Sequence, residues 1–361
     1  MSLPTADLHA LLPALVDIES VSHNESTLAN AVETALRAAP HLQVGRFGNT
    51  IWASTPATHD SSVVIAGHLD TVPVAHNLPS RLIEGPDGAP WLWGRGTVDM
   101  KGGVAVMLHL ATQLVEVNRN VTWVFYDCEE IDAASNGLGR LALQQPDLLA
   151  ADLAILMEPS NGQIEGGCQG TIRFCLTTNG LAAHSARGWL GENAIHAMAS
   201  VLDKVVACQP DFGPVEVDGL VYREGLNVTQ IEAGVAGNVI PDRCRAYINY
   251  RFAPSLGVDE AVAKMRQLFD GLGDFELLDA SPGARPGLDR PAAQQFVATV
   301  GAAVTPKFGW TDVARFSAIG TPALNFGPGN PGLAHADDEA VPLAQVASCA
   351  GALARWLSDV R

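Results

Sequence analysis

The chain has 361 residues, 22 of them Lys or Arg and 39 Asp or Glu, which gives a formal net charge of −17. That length allows two compact domains, and the acidic balance argues against a nucleic acid or an anionic membrane as partner. A small anionic substrate stays open, because local Arg residues can override the global field.

No charged-then-apolar leader begins the sequence and no apolar run approaches the length of a membrane span, so the expected compartment is the cytoplasm. Cysteines at 128, 168, 175, 208, 244 and 349 lack the close pairing of a zinc ribbon or redox motif and are expected to be free thiols. No repeat or low-complexity tract is present.

In chain order, the first strong element is Ser62-Val63-Val64-Ile65-Ala66, short, apolar and β-branched, which reads as a buried strand ending at Gly67-His68-Leu69-Asp70. About thirty residues later comes Gly94-Arg95-Gly96-Thr97-Val98-Asp99-Met100-Lys101-Gly102-Gly103, with an apolar helix expected over Gly103–Val117. The run Val121–Tyr126 leads into Asp127-Cys128-Glu129-Glu130, and Leu153–Met157 leads into Glu158-Pro159. The last, Pro322–Phe326, runs into Gly327-Pro328-Gly329 and then Ala334-His335-Ala336. Four buried strands therefore end in a His or a carboxylate, and in open α/β sheets that is where ligands bind.

Two His and three carboxylates suit two borderline divalent cations such as Zn2+, Co2+ or Mn2+, with one carboxylate able to bridge them. Asp99 is the best-placed bridge, since a helix starts just after it and negative charge is favoured at a helix N-terminus. Asp70, two residues past His68 and of the same side-chain parity, is positioned to accept the ligand's second ring N–H. Glu129 and Glu130 are neighbours whose side chains point opposite ways in extended backbone, so one can bind metal while the other takes a proton from the attacking water.

The section from about 171 to 286 carries no ligand candidates. It reads as strand Thr171–Thr178, helix Asn193–Cys208, strand Leu226–Ala233, strand Arg243–Phe252, helix Val258–Leu272 and strand Phe275–Leu278. That order is the ferredoxin-like split unit. An inserted domain over 171–286 is expected within a catalytic domain of 1–170 and 287–361, with Ser281–Gly287 as the return hinge.

These segments, together with Ala183–His196 and Gly237–Asp242, resemble the M20 family of metallopeptidases and deacylases from about Asp7 to Ala340. The resemblance implies a three-layer α/β/α zinc-peptidase-like domain with an inserted ferredoxin-like α+β lid that also dimerises. It implies His68 and Glu158 on one metal, Glu130 and His335 on the other, Asp99 bridging, Glu129 as general base and Asp70 orienting His68. It also implies a cis peptide after Asp99, and a His184 that reaches the active site of a partner subunit to stabilise the oxyanion. Thr97 departs from the family, where a smaller Ala or Ser is commoner.

For the substrate, guanidinium groups bind carboxylates bidentately, and Arg187 and Arg251 lie on segments the family turns toward it. Arg251 could equally close a salt bridge within the lid sheet. Asn238 could donate to the scissile carbonyl or a carboxylate, and Gly327 and Gly329 offer backbone N–H groups. The residues point to a two-metal amidohydrolase acting on a linear amide, and the family resemblance implies removal of succinate from N-succinyl-LL-2,6-diaminopimelate. The rivals are N-acetylornithine deacetylation, hydrolysis of another N-acyl amino acid, dipeptide cleavage, a catalytically dead metal scaffold and a phosphoesterase.

Overall fold

The computed structural model describes residues 2–358. The chain divides into two compact units: the first runs to Gly166 and resumes over Pro286–Thr305 and from Arg315, and the second comprises Gly167–Arg285 and Pro306–Ala314.

The first unit is built on strands β1 (Gln43–Phe47), β2 (Thr50–Ser54), β3 (Ser62–His68), β4 (Asn120–Tyr126), β5 (Leu153–Leu156) and β6 (Ile164–Gly166). In the second unit follow β7 (Gly170–Asn179), β8 (Gly225–Ala233), β9 (Arg243–Phe252) and β10 (Asp274–Ser281), and the chain then adds β11 (Val304–Pro306) and β12 (Ala323–Asn325). The eight-stranded sheet has the order β1-β2-β4-β3-β5-β12-β6-β11. Its centre is parallel, with β4, β3, β5 and β12 side by side. Both faces of such strands are covered, which explains why they read as continuous apolar runs rather than alternating ones. Val63, Val64, Ile65 and Ala66 are all buried.

Helices α1 (Leu8–Val16), α2 (Ser26–Arg37) and α3 (Lys101–Gln113) supply buried Leu11, Leu15, Val32, Val104 and Met107 to the core of this unit. Helix α3 begins two residues before the expected start and ends at Gln113 rather than Val117. Its first turn contains Gly102 and Gly103, and a Cβ at 103 would overlap the Met157 carbonyl oxygen. The glycine lets the start of α3 lie directly against the end of β5, which brings the Asp99 and Glu158 segments together.

The second unit is a four-stranded antiparallel sheet of order β8-β9-β7-β10. Helices Ala194–Ala207 and Val258–Leu268 bury Met198, Val201, Val205, Ala261 and Met265 against Ile172, Phe174 and Ile248 of the sheet. The strand and helix order is that of the split unit. Segment 306–314, which the sequence reading assigned to the catalytic domain, groups with this unit: Trp310 Nε1 donates to the Pro282 carbonyl at 3.1 Å, and Cys168 Sγ lies 3.7 Å from the Thr311 carbonyl. All six cysteines are buried and free. No helix among the described residues is long and apolar enough to cross a membrane.

Candidate metal centre

His68 is the last residue of β3, and β4, β5 and β12 deliver Glu129-Glu130, Glu158 and the 326–335 segment at the same carboxyl end of the parallel strands. Three groups of three potential ligands form there, His68–Asp99–Glu158, Asp99–Glu130–His335 and His68–Glu129–Glu130, with the donor atoms of each group within 4.8 Å of one another. Asp99 belongs to the first two, which together use all five expected ligands. His68 Nε2 lies 3.1 Å from Asp99 Oδ1, while His335 Nε2 lies 3.5 Å from Asp99 Oδ2 and 3.0 Å from Glu130 Oε2. The peptide bond Asp99–Met100 is cis. His68 and Glu158 are buried, Asp99, Glu129 and Glu130 half-buried, and His335 exposed, so the centre opens to solvent on the His335 side.

Electrostatics show how strongly this cluster calls for positive charge. Hydrogen bonds that its ring donates to the Asp99 and Glu130 carboxylates push the His335 imidazole up to about 10. Burial alone would drive His68 down, but Asp70 and Asp99 outweigh it and raise it well above the ordinary value. The same nitrogens and carboxylates are what borderline divalent cations prefer, so the residues present fit a pair of such ions, one for each group that contains Asp99.

Asp70 is fully buried and does more than the sequence suggested. The closest partner of His68 Nδ1 is the backbone carbonyl of Asp70 at 2.9 Å, with carboxylate Oδ1 farther off at 3.5 Å. The carboxylate instead accepts the N–H groups of Glu129 (2.9 Å) and Glu130 (3.0 Å) and the Ser22 hydroxyl (2.8 Å). Burial raises its pKa, yet His68 and these N–H donors prevail and hold it below the usual carboxylate range. Asp70 thus fixes the His68 loop through its backbone and the two glutamates through its side chain. Two residues here sit in left-handed backbone without being glycine, Cys128 at φ 58° and His335 at φ 66°. That conformation costs about 1–2 kcal/mol per residue and aims Glu129 and the His335 ring.

The glycine donors expected from the sequence are already committed. Gly327 N–H donates to Ser160 Oγ at 3.0 Å and Gly329 N–H to Gln345 Oε1 at 2.6 Å. Their need for glycine is steric: a Cβ at 327 would overlap the Met157 carbonyl oxygen, and Gly329 has φ 99°. Thr97 is accommodated because its buried hydroxyl donates to the Gly94 carbonyl at 2.8 Å.

In the second unit, His184 and Asn238 meet where strand Ala183–His184 pairs with Val239–Ile240, and the Ser185 N–H donates to the Asn238 carbonyl at 2.9 Å. Arg187 follows in the exposed turn after His184. Arg251 lies on β9, half-buried, with Nε donating to Asn249 Oδ1 at 3.2 Å. No ion pair to Arg251 is found among the described residues, so the salt-bridge alternative is not the arrangement seen.

The sequence reading missed Glu339 and Ser22, which have no ligand spacing. It also missed Arg95 and Lys101, which sit in a quoted motif and turn out to be buried. Lys101 Nζ donates to the Ile18 carbonyl at 2.7 Å, and burial pushes it down to about 7.

Residues 64–359 match peptidase family M20/M25/M40. The chain belongs to this family. It is 50% identical over 349 residues, 96% of this chain and 97% of the relative, to a putative succinyl-diaminopimelate desuccinylase of Mycobacterium tuberculosis. A succinyl-diaminopimelate desuccinylase of Corynebacterium glutamicum is 44% identical over 97% of this chain and 95% of its own length. Among solved structures, a tripeptidase from Staphylococcus aureus superposes with a TM-score of 0.79 at 20% identity, covering 100% of this chain and 99% of that one. A dinuclear metal-binding M20 peptidase from Bacillus subtilis gives 0.69 at 16% identity, over 97% and 96%. These structural likenesses establish the M20 fold.

Proposed function

We propose that this M20 member hydrolyses N-succinyl-LL-2,6-diaminopimelate to succinate and LL-diaminopimelate in the cytoplasm. The observation that carries the reaction class is the pair of ligand groups sharing Asp99, with Glu129 beside them. The substrate rests on identities of 50% and 44% to the two actinobacterial relatives over almost the whole chain.

His68, Asp99 and Glu158 would hold one divalent ion and Asp99, Glu130 and His335 the other, with Zn2+ the best match and Co2+ or Mn2+ also suited to these donors. Bound there, the ions supply polarisation of the scissile carbonyl and acidification of water. Glu129 takes the proton from the attacking water and passes it to the leaving amine. Asp70 keeps Glu129 in place by accepting its N–H.

His184, contributed across a homodimer formed by the second unit, stabilises the oxyanion. Its Nδ1 accepts the Ala186 N–H at 3.0 Å, which makes Nε2 the protonated, donating nitrogen of the neutral ring. Exposed Leu181, Trp189, Leu190 and Ile195 on the same unit support such a pairing surface. Arg251 and Arg187 take free carboxylates of the substrate, and in support of this Arg251 makes no ion pair among the described residues. Asn238 adds a neutral donor.

The test is release of free amine from N-succinyl-LL-diaminopimelate and from N-acetylornithine, side by side, with zinc-replete and metal-stripped protein. Metal-dependent turnover favouring the succinyl compound is expected. Turnover of the acetyl compound alone would move the assignment to a deacetylase, and silence on both would overturn it.

A further inference from the structure

Glu339 stands four residues beyond His335 and is 1% exposed. Its carboxylate is filled by donors from a single loop: Oε1 accepts the N–H groups of Val98 (2.8 Å) and Asp99 (3.0 Å), and Oε2 accepts the Gly96 N–H (3.0 Å) and Arg95 Nη1 (3.1 Å). One backbone bond, from Gly94 N–H to the Glu339 carbonyl (3.0 Å), and one side-chain bond, from Arg95 Nη1 to the Ala336 carbonyl (3.2 Å), complete the connection.

Segment 94–100 belongs to no helix or strand, so no regular ladder fixes it. A carboxylate that accepts the N–H of a residue and of the one before it constrains that residue's Cα–Cβ direction. We infer that Glu339 is a positioning residue for Asp99, holding the shared carboxylate in register with His335 so that both metal positions form. The inference rests on Asp99 serving both positions. Neutralising Arg95 is the competing explanation for a buried acid here, but Arg95 supplies only one of the four bonds to the Glu339 carboxylate. The three backbone N–H groups would otherwise be buried or turned away from the site.

The experiment is zinc titration of purified, metal-stripped full-length chains, followed by kinetics and by absorption of the Co2+ form. Glu339→Gln keeps the shape but turns an NH2 donor toward N–H groups. It should remain folded, bind zinc about 10- to 100-fold more weakly, alter the Co2+ spectrum and lower kcat with KM little changed. Arg95→Gln removes one bond and the charge pair yet spares the three N–H contacts. It should lower the melting temperature while leaving zinc affinity and stoichiometry as in the wild type.

Two wild-type zinc equivalents in Glu339→Gln would overturn the inference, as would equal losses of zinc in Glu339→Gln and Arg95→Gln. Should Glu339→Gln fail to fold, Glu339→Asp retains the charge but withdraws the oxygens by about 1.5 Å and should show the same weakening; wild-type affinity there overturns it equally. Asp99→Asn is measured alongside. Loss of both equivalents supports the shared-ligand reading, whereas retention of both shows that reading itself to be wrong.

Discussion

The Asp70 carboxylate accepts the backbone N–H of Glu129 at 2.9 Å, so the residue that follows the first candidate ligand by two positions also holds the candidate base. Asp70→Asn presents an NH2 where the N–H of Glu129 or Glu130 needs an acceptor. It is expected to lower kcat by about 10- to 100-fold with the fold intact, as steady-state kinetics and circular dichroism would show. An unchanged kcat would mean that Glu129 is held by other contacts.

Glu129→Gln keeps the backbone bond to Asp70 and removes only proton transfer. Turnover should fall by about 10²- to 10⁴-fold, while elemental analysis still finds two metals per chain. Loss of metal in this variant would move Glu129 from base to ligand.

Arg251→Ala and Arg187→Ala separate acyl groups. A charge-assisted hydrogen bond contributes about 1.5–3 kcal/mol, so kcat/KM for a succinylated substrate should drop about 10- to 150-fold. An acetylated one, with no free carboxylate on the acyl group, should change far less. Equal losses on both would remove these residues from acyl recognition.

The buried thiols set an alkaline limit. Burial pushes Cys168 up to about 11 and Cys349 up to about 12, above their ordinary value near 9. The folded chain therefore holds these protons where the unfolded chain releases them. This stabilising difference is complete below about pH 8.5 and is lost as pH climbs through 9 toward 12. Urea midpoints should decline over that interval, and a thiol reagent at pH 8 should label the native chain slowly and the denatured chain rapidly. Fast native labelling would contradict the burial.

Much of this was legible in the sequence. The four parallel strands announced themselves as apolar runs because both of their faces are covered, and β9 falls at the expected residues because its inward side chains, Cys244, Ala246, Ile248 and Tyr250, alternate with outward ones. That the candidate ligands gather at one end of the sheet followed from their positions at strand ends, whereas their division between two metals came from the family resemblance. Glu339 was not legible, since the run Ala336-Asp337-Asp338-Glu339 reads as a solvated acidic loop, and only its tertiary contacts with residues 95–99 take the last acid out of water. Gly327 and Gly329 were misread for a related reason. A glycine in a tight turn has the same sequence appearance whether it donates to a ligand or makes room for a neighbouring carbonyl, and here the room is for Met157 and the donors are spent on Ser160 and Gln345.

Strand β12 lies between β5 and β6, although about 160 residues separate it from either in the chain. During synthesis the central sheet of the first unit must therefore wait, with a slot beside β5, while the whole second unit is made and free to fold. His335 emerges only after β12, and Glu339 after that. A nascent or truncated chain ending before residue 335 has His68, Asp99, Glu130 and Glu158 but not the second candidate imidazole, so completion of the candidate ligand set is tied to near-completion of translation.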